Sequence, residues 1–460
     1  MRKTRVNINI LTAKAKESIQ ITWRENLGAT WYQNSLTKHF DGKYMPSHNQ
    51  TFDIVIVGGG IAGLTLLLQV ANAGANALLV ESDEVGAGAS GKNGGFCSPG
   101  WSQDYTSLLQ YFDNKLVKEL DRIASIGVEW VRNKCRQVGY EGTDYQDGIV
   151  SCYLYGSEEK IKNSINKHNK LFETNDLFLS KAELEKIIVS DRYRFGIKKS
   201  NAFHFHPLNF IKSLANENAQ KGAKISEKAQ LLHYEKYGKK FKLKVKFSTV
   251  LKDIFAERIV FATGGYGGSE IKDLRKYWLP IKTYIGVTER IDKKLFEVFR
   301  KHYGISDNRR AGNYFRIVDG NRISWGRGIS AISNYSDAQI RDHVADDIKF
   351  FFPQLGKLSI DYVWSGKMAY ARHMMPYVGP VNVGCDNGLF ALTGFGGHGM
   401  NTAPGSAIAL GEYLINGKES IQCFEIFKRV WNGGILGPYI AEGKYYYLKL
   451  RDHIEQIRRG

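Results

Sequence analysis

The stretch "DIVIVGGGIAGLTLLLQVANAGANALLVES" (residues 53–82) constrains the fold more than any other part of the chain. It opens on a short, β-branched apolar run of the kind buried on both faces of a parallel sheet. Glycines follow as Gly58-x-Gly60-x-x-Gly63. That spacing permits a sharp turn, a close approach of backbone to a pyrophosphate, and tight packing of the next helix on the strand. A helix starting near Ile61 would present unpaired N–H groups and the positive end of its dipole to those phosphates. The helix is expected to stop at Gly74 and "NALLVE" to form a second strand. Glu81 then stands at that strand's carboxyl end, eighteen residues beyond Gly63, where an acid accepts the ribose hydroxyls of a dinucleotide. Residues 61–80 carry no charge and mimic a membrane span, but Gln69, Asn72, Gly74 and Asn76 interrupt them, so they read as helix, turn and strand and no transmembrane segment is expected.

NAD and FAD both use such a unit, so the discriminating residues lie beyond it. Residues 86–95, "GAGASGKNGG", place a second small-residue loop directly after Glu81. A cofactor stretched across the sheet needs small residues there, and a flexible linker accounts for the same composition.

The chain of 460 residues is long enough for two or three domains. Its 43% hydrophobic and 24% charged residues suit a folded globular protein, and 48 glycines against 9 prolines indicate many close backbone approaches. The formal charge is +18 and the pI about 9.4. The lysines are scattered, and in "YEKYGKKFKLKVKF" (234–247) they alternate with apolar residues as on the solvated face of a strand. Nucleic acid is therefore not an expected partner. Cys97, Cys135, Cys152, Cys385 and Cys423 are odd in number and contain no C-x-x-C pair, which excludes a disulfide framework or zinc site from the expectations; no metal is expected. Without a secretory signal pattern, a cytoplasmic location is expected.

At "GASGKNGG" (88–95) the residues resemble the D-amino acid oxidase superfamily of FAD-dependent amine and amino acid oxidases, and within it the gamma-glutamylputrescine oxidase-like branch. The likeness continues through "ATWYQNSL" (29–36), "FHFHPLNFIKSLANENAQKGAKISE" (203–227), "RIVFATGGYGG" (258–268), "LPIKTYIGVTER" (279–290), "YFRIVDGNRISWGRG" (314–328) and the closing "GLFALTGFGGHGMNTAPGSAIALGEYL" (388–414). The resemblance implies an α/β fold: a Rossmann-like FAD/NAD(P)-binding domain with a parallel sheet, and a discontinuous substrate domain with a mixed or antiparallel sheet. FAD-binding segments are expected at 50–110, 200–275 and 355–435, substrate-domain segments at 111–199 and 276–354, an N-terminal extension at 1–49 and a C-terminal helical tail at 436–460.

Non-covalent FAD is the implied cofactor. Its expected contacts begin with Gly58, Gly60, Ile61, Ala62, Gly63, Glu81 and Ser82. They continue through Gly88, Ala89, Ser90, Asn93, Gly94 and Gly95, then Thr263, Gly264 and Gly265, and end with Gly396, Gly397, His398, Gly399 and Met400. The last group opens a helix whose N-terminus suits the negative charge of a reduced flavin. His398 fits either a flavin hydrogen bond or satisfaction of neighbouring backbone. Cys97 reads as a small buried residue rather than an attachment point.

The implied reaction is oxidation of a C–N bond in a small-molecule amine. Hydride passes to the flavin, the imine hydrolyses, and dioxygen or another electron acceptor takes up the electrons, dioxygen yielding hydrogen peroxide. Such transfer needs a neutral amine, and deprotonating an alkylamine at pH 7 costs on the order of 4 kcal/mol, part of which a desolvating aromatic pocket supplies. Relatives that take α-amino acids carry an Arg before the closing motif. Here ungapped matching of "WSGKMAYARHMMPYVG" puts Met368 at that place. That disfavours a simple α-amino acid and leaves Lys367, Arg372 and Arg316 as candidates for a more distant carboxylate, such as that of a gamma-glutamyl amine; a solvated or structural role suits each equally. The alternative is an amino acid or sarcosine-type dehydrogenase that uses a non-oxygen acceptor.

Overall fold

The computed structural model describes residues 29–268, 271–309, 312–382 and 385–459. The opening stretch folds as its pattern dictates, with β1 (Thr51–Val57), α1 (Ile61–Asn72) and β2 (Ala77–Val80) in succession. β1 and β2 run parallel, with Ile54 opposite Ala77 and Val57 opposite Val80. Both are covered on two sides, which is why their apolar runs are nearly continuous.

The first sheet has the order Tyr377–Asn382, Cys385–Thr393, Val250–Phe261, β1, β2, Lys224–Ser226. Its pairings are parallel except at the Tyr377–Asn382 edge. A hairpin, Ala229–Tyr237 and Lys240–Phe247, joins Val250–Phe261 antiparallel. In it Phe241, Leu243, Val245 and Phe247 are buried while Lys244 and Lys246 are exposed, the alternation expected of a half-solvated strand.

Helices cover one face of this sheet: α1, α2 (Asn114–Cys135), α3 (Pro207–Gln220) and later α5 (Gly399–Asn416) share one apolar core. α2 and α5 cross at glycines. A Cβ on Gly127 would lie 1.8 Å from the Asn401 carbonyl oxygen, and one on Gly405 would lie 2.1 Å from that of Ile123. The start of α5 is thereby pressed onto the sheet's glycine-rich end. The stretch 157–173 forms the surface helix Glu158–Phe172, with Ile165 as its buried residue.

A second sheet runs Ile360–Ala371, Trp278–Thr288, Arg322–Ser330, Tyr314–Val318, Gly304–Asp307, Gln146–Tyr153, Phe195–His204, Phe96–Cys97. It is antiparallel apart from Gly304–Asp307 beside Gln146–Tyr153. α4 (Asp337–Phe351) packs on its outer face, where Trp325 meets Phe351 and Phe315 stacks on Trp325 at 4.1 Å. The strand Ile360–Ala371 falls within segment 355–435 and Phe96–Cys97 within 50–110, yet both run in this second sheet. The former pairs along its whole length with Trp278–Thr288. The chain ends in α6 (Gly437–Arg459).

Before β1, Thr30 caps a helical turn, Trp31–Asn34, through a reciprocal bond pair with Gln33. This turn drives Tyr32 between His206 and Trp364, 4.9 and 5.3 Å away between ring centres. Residues 1–28 of the extension lie outside the described residues.

Candidate active site

The loop between β1 and α1 is shaped by close approach. Gly58 has φ +118°, and a Cβ there would lie 2.6 Å from the Ala262 carbonyl oxygen; one on Gly63 would lie 2.1 Å from that of Gly58. Neither position admits a side chain, and the first turn of α1 stays against the strand. The Glu81 carboxylate accepts from the N–H groups of Gly59 at 2.7 Å and Asp83 at 2.9 Å, and from the Ser82 hydroxyl at 3.2 Å. Burial raises its pKa while those donors lower it. Oε1 accepts two of these bonds, so Oε2, which accepts only from Gly59, keeps a further lone pair for a ribose hydroxyl.

Residues 86–95 fold over this turn. Ser90 Oγ accepts from the Ile61 N–H at 3.0 Å, capping α1 from outside its own sequence. Asn93 pins the loop: its Nδ2 donates to the carbonyls of Ala89 and Ser90 and lies 3.2 Å from Met400 Sδ, while its Oδ1 accepts from the Gly95 N–H at 2.8 Å. Gly95, at φ +78°, brings its backbone against the Phe205 carbonyl.

The segments 263–265 and 396–400 meet through the strand Ile360–Ala371. The backbone of Lys367 and Met368 lies 3.1 Å from a Cβ built on Gly265, and Tyr370 Oη lies 2.6 Å from one built on Gly397. Trp364 Nε1 donates to the Lys92 carbonyl at 2.9 Å. Trp364, Gly366, Met368 and Tyr370 thus line the loop-facing side of the strand, and Lys367 projects to the other. Ser102, from beyond the second loop, donates to the Gly396 carbonyl at 2.7 Å.

His398 precedes α5. Its Nδ1 is enclosed without a hydrogen-bond partner, and burial lowers its pKa to about 4, so the ring is neutral at pH 7. Thr263 Oγ1 is enclosed and unpartnered in the same way. Tyr314 lies between Gly94 and Gly326, its ring carbons 2.5 and 2.0 Å from Cβ atoms built there, and burial raises its phenol to about 12. Burial and the neighbouring phenols of Tyr445 and Tyr314 raise Tyr370.

The candidate cations separate. Arg316 is fully buried and holds main chain: Nε donates to the Gly94 carbonyl and a terminal nitrogen to that of Phe205, each at 2.9 Å. These two bonds fix the second loop, and the remaining terminal nitrogen, Nη1, is buried without a hydrogen-bond partner. Lys367 presents its N–H to the Tyr266 hydroxyl at 3.0 Å and its ammonium 5.6 Å over that ring. Arg372 is exposed just past the strand. Tyr266, Tyr314, Tyr370, Trp364 and Ser102 were not singled out by sequence reasoning. The aromatic residues at either end of "WSGKMAY" are the one signal that points to two of them, Trp364 and Tyr370.

The family model for FAD-dependent oxidoreductases named DAO matches residues 53–413. The chain is a DAO-family FAD-dependent oxidoreductase. Among curated relatives, gamma-glutamylputrescine oxidoreductase of Escherichia coli K12 is 25% identical over 440 residues, covering 91% of this chain and all of the relative. Glycine oxidase of Bacillus subtilis is 20% identical and covers 79% of this chain and 93% of its own length. Among solved structures, glycine oxidase from Geobacillus kaustophilus superposes with a TM-score of 0.65 at 18% identity over 81% of this chain and 96% of its own. L-amino acid deaminase from Proteus myxofaciens gives 0.68 at 15% identity over 85% and 97%; these two show the α/β fold of the family.

The residues of this DAO-family chain fit FAD. The glycine turn at Gly58–Gly60, the open lone pair of Glu81 Oε2 and the unpartnered His398 Nδ1 and Thr263 Oγ1 are what an adenosine diphosphate and a ring rich in acceptors and donors would complete. A separate cavity of about 250 Å³ lies on the far side of the second sheet, lined by Arg309, Arg327, Asp347 and residues of α6.

Proposed function

We propose that this oxidoreductase oxidises the C–N bond of an amine, with a gamma-glutamylputrescine-like compound as the type substrate, and yields the imine, then the aldehyde, and hydrogen peroxide when dioxygen is the acceptor. The observation that carries the reading is the side of the strand Ile360–Ala371 that faces the glycine loops. It offers Trp364, Gly366, Met368 and Tyr370, with Met368 at the place where relatives acting on α-amino acids present an arginine. An α-carboxylate finds no bidentate partner there. Lys367 and Arg372, near the same strand, remain the cations for a carboxylate farther from the reacting carbon.

FAD, when bound, supplies the acceptor for the two electrons that leave with hydride from the carbon beside nitrogen. The protein's part is binding and desolvation. In this reading Gly58, Gly60, Ile61, Ala62 and Gly63 hold the diphosphate, Glu81 and Ser82 the adenosine ribose, and Gly88–Gly95, Thr263–Gly265 and Gly396–Met400 frame the ring. Burial around Tyr314 and Tyr370, which raises both phenols, favours the neutral amine over ammonium. His398, neutral through burial, donates or accepts one hydrogen bond without adding charge. We assign FAD as non-covalent: Cys97 is fully buried and its thiol is held well above the usual range, which suits an inert core residue. A cytoplasmic setting suits the buried free thiols Cys97, Cys135, Cys152 and Cys423. The segments 50–110, 200–275 and 355–435 serve the cofactor and 111–199 and 276–354 the substrate, with Ile360–Ala371 shared between them.

The test is reduction of the bound flavin, followed at its visible band with and without air, by gamma-glutamyl amines, polyamines, sarcosine and D-amino acids. Bleaching by an amine is expected, with peroxide released in air; reoxidation only by an added acceptor would mark the dehydrogenase alternative. Bleaching by a D-amino acid and by no amine would overturn the substrate class.

A further inference from the structure

The last helix, α6, reverses the usual arrangement of polarity. Its face toward the protein carries acids: Glu442 accepts from Ser330 Oγ at 2.8 Å and from the Ala331 N–H at 2.7 Å, and Asp452 accepts from the Tyr155 hydroxyl at 2.6 Å. Both are 4% exposed. Glu455 is half-buried beside Arg451. The outward face is apolar: Tyr447, Leu450, Ile454 and Ile457 recur at three- and four-residue steps, with Ile440 two turns earlier, and all are exposed, Ile440 and Ile457 by 68% and 70%. Such spacing forms a single stripe along a helix. Trp431, Ile435, Leu436 and Tyr439 extend it at the N-terminal end, again exposed.

Charge is arranged with equal order. Lys444, Arg451 and Arg458, seven residues apart, run along one flank of the stripe, and all are exposed. The helix presents no fully exposed carboxylate. A stripe of aliphatic and tyrosine side chains beside a row of cations is the pattern of a helix lying in the plane of a lipid headgroup layer, where aromatic rings are favoured and long basic stems reach out to the phosphates. A second copy of the chain would bring the same cations face to face. Residues 1–28, with six Lys or Arg and two Glu, bring no complementary charge either. No helix among the described residues is long and apolar enough to cross a membrane.

We propose that α6 docks the folded enzyme on an anionic lipid bilayer.

The experiment is sedimentation of the full-length chain with vesicles of phosphatidylglycerol and phosphatidylcholine, compared with phosphatidylcholine alone. Binding to the anionic vesicles is expected, falling with salt and weakening about fivefold for each of Lys444→Gln and Arg458→Gln. The variant Ile440→Ser, Leu450→Ser, Ile457→Ser should lose vesicle binding while keeping the wild-type thermal midpoint, because those side chains face solvent. If that variant unfolds, the two charge variants decide. Wild-type protein left in the supernatant at low salt, unaltered binding by the charge variants, or a wild-type dimer in light scattering that the serine variant splits without any vesicle binding would each refute docking. None of these readouts depends on which amine is oxidised.

Discussion

Glu81 closes the first loop from within, since its carboxylate ties the Gly59 and Asp83 amides, and the same group faces the cleft where the adenosine ribose is expected. Glu81→Gln keeps the size and removes the charge. Hydrogen bonds to a charged group contribute about 1.5–3 kcal/mol, so the apoprotein's affinity for FAD should fall about ten- to a hundredfold. Affinity for FMN, which lacks the adenosine sugar, should change much less. Titration of flavin fluorescence with both ligands measures this, and an equal loss for the two would remove Glu81 from the ribose. Histidines set a second expectation. Burial lowers His204 and His206 to about 3, with the nearby Arg316 adding to the effect, and burial lowers His398 to about 4. In each case the unfolded chain binds the proton more readily than the folded one, so stability is fully present above about pH 6.5 and is lost as pH falls toward 4. Each ring contributes up to about 1.4 kcal/mol per pH unit in that window. Denaturant unfolding between pH 4 and 7 should show this slope. His206→Asn, which retains a side-chain acceptor for the Asn209 amide, should flatten it by the share of one histidine.

At the scale of elements, the crossing of α2 and α5 controls where the start of α5 sits. The Gly405 backbone lies so close to Ile123 that a methyl group would come within 2.1 Å of its carbonyl oxygen. Gly405→Ala must push the helices apart, and overpacking of this kind costs about 1–3 kcal/mol. The thermal midpoint should drop, and flavin should be held less tightly because His398 and Gly399 move with the helix. An alanine variant as stable as wild type would mean that α5 shifts without resistance. The local unit β1–α1–β2 was fully legible in the sequence, because period, glycine spacing and strand-end acid all lie within thirty consecutive residues. The strand Ile360–Ala371 was not, since its sheet is decided by pairing with Trp278–Thr288, some eighty residues away, and no local pattern records that partner.

For the whole molecule, the family and the two-sheet architecture could be read from separated motifs in the right order, and the family match and superpositions bear them out. The roles of individual cations could not. Arg316 sits in "YFRIVDGNR", where sequence fits a ligand clamp and a structural partner equally; two of its nitrogens end on the carbonyls of Gly94 and Phe205, a choice fixed only once both sheets are assembled. α6 lies beyond the family match; the burial of its Glu442 and Asp452 depends on tertiary packing and leaves no spacing signature. The indole of Trp364 and the guanidinium of Arg316, both rooted in the second sheet, fasten the carbonyls of Lys92 and Gly94 in the loop belonging to the first. Anything that pries that loop open must therefore strain both halves together. Escape of a captured nucleotide is mechanically linked to loosening of the wall against which the fuel molecule rests.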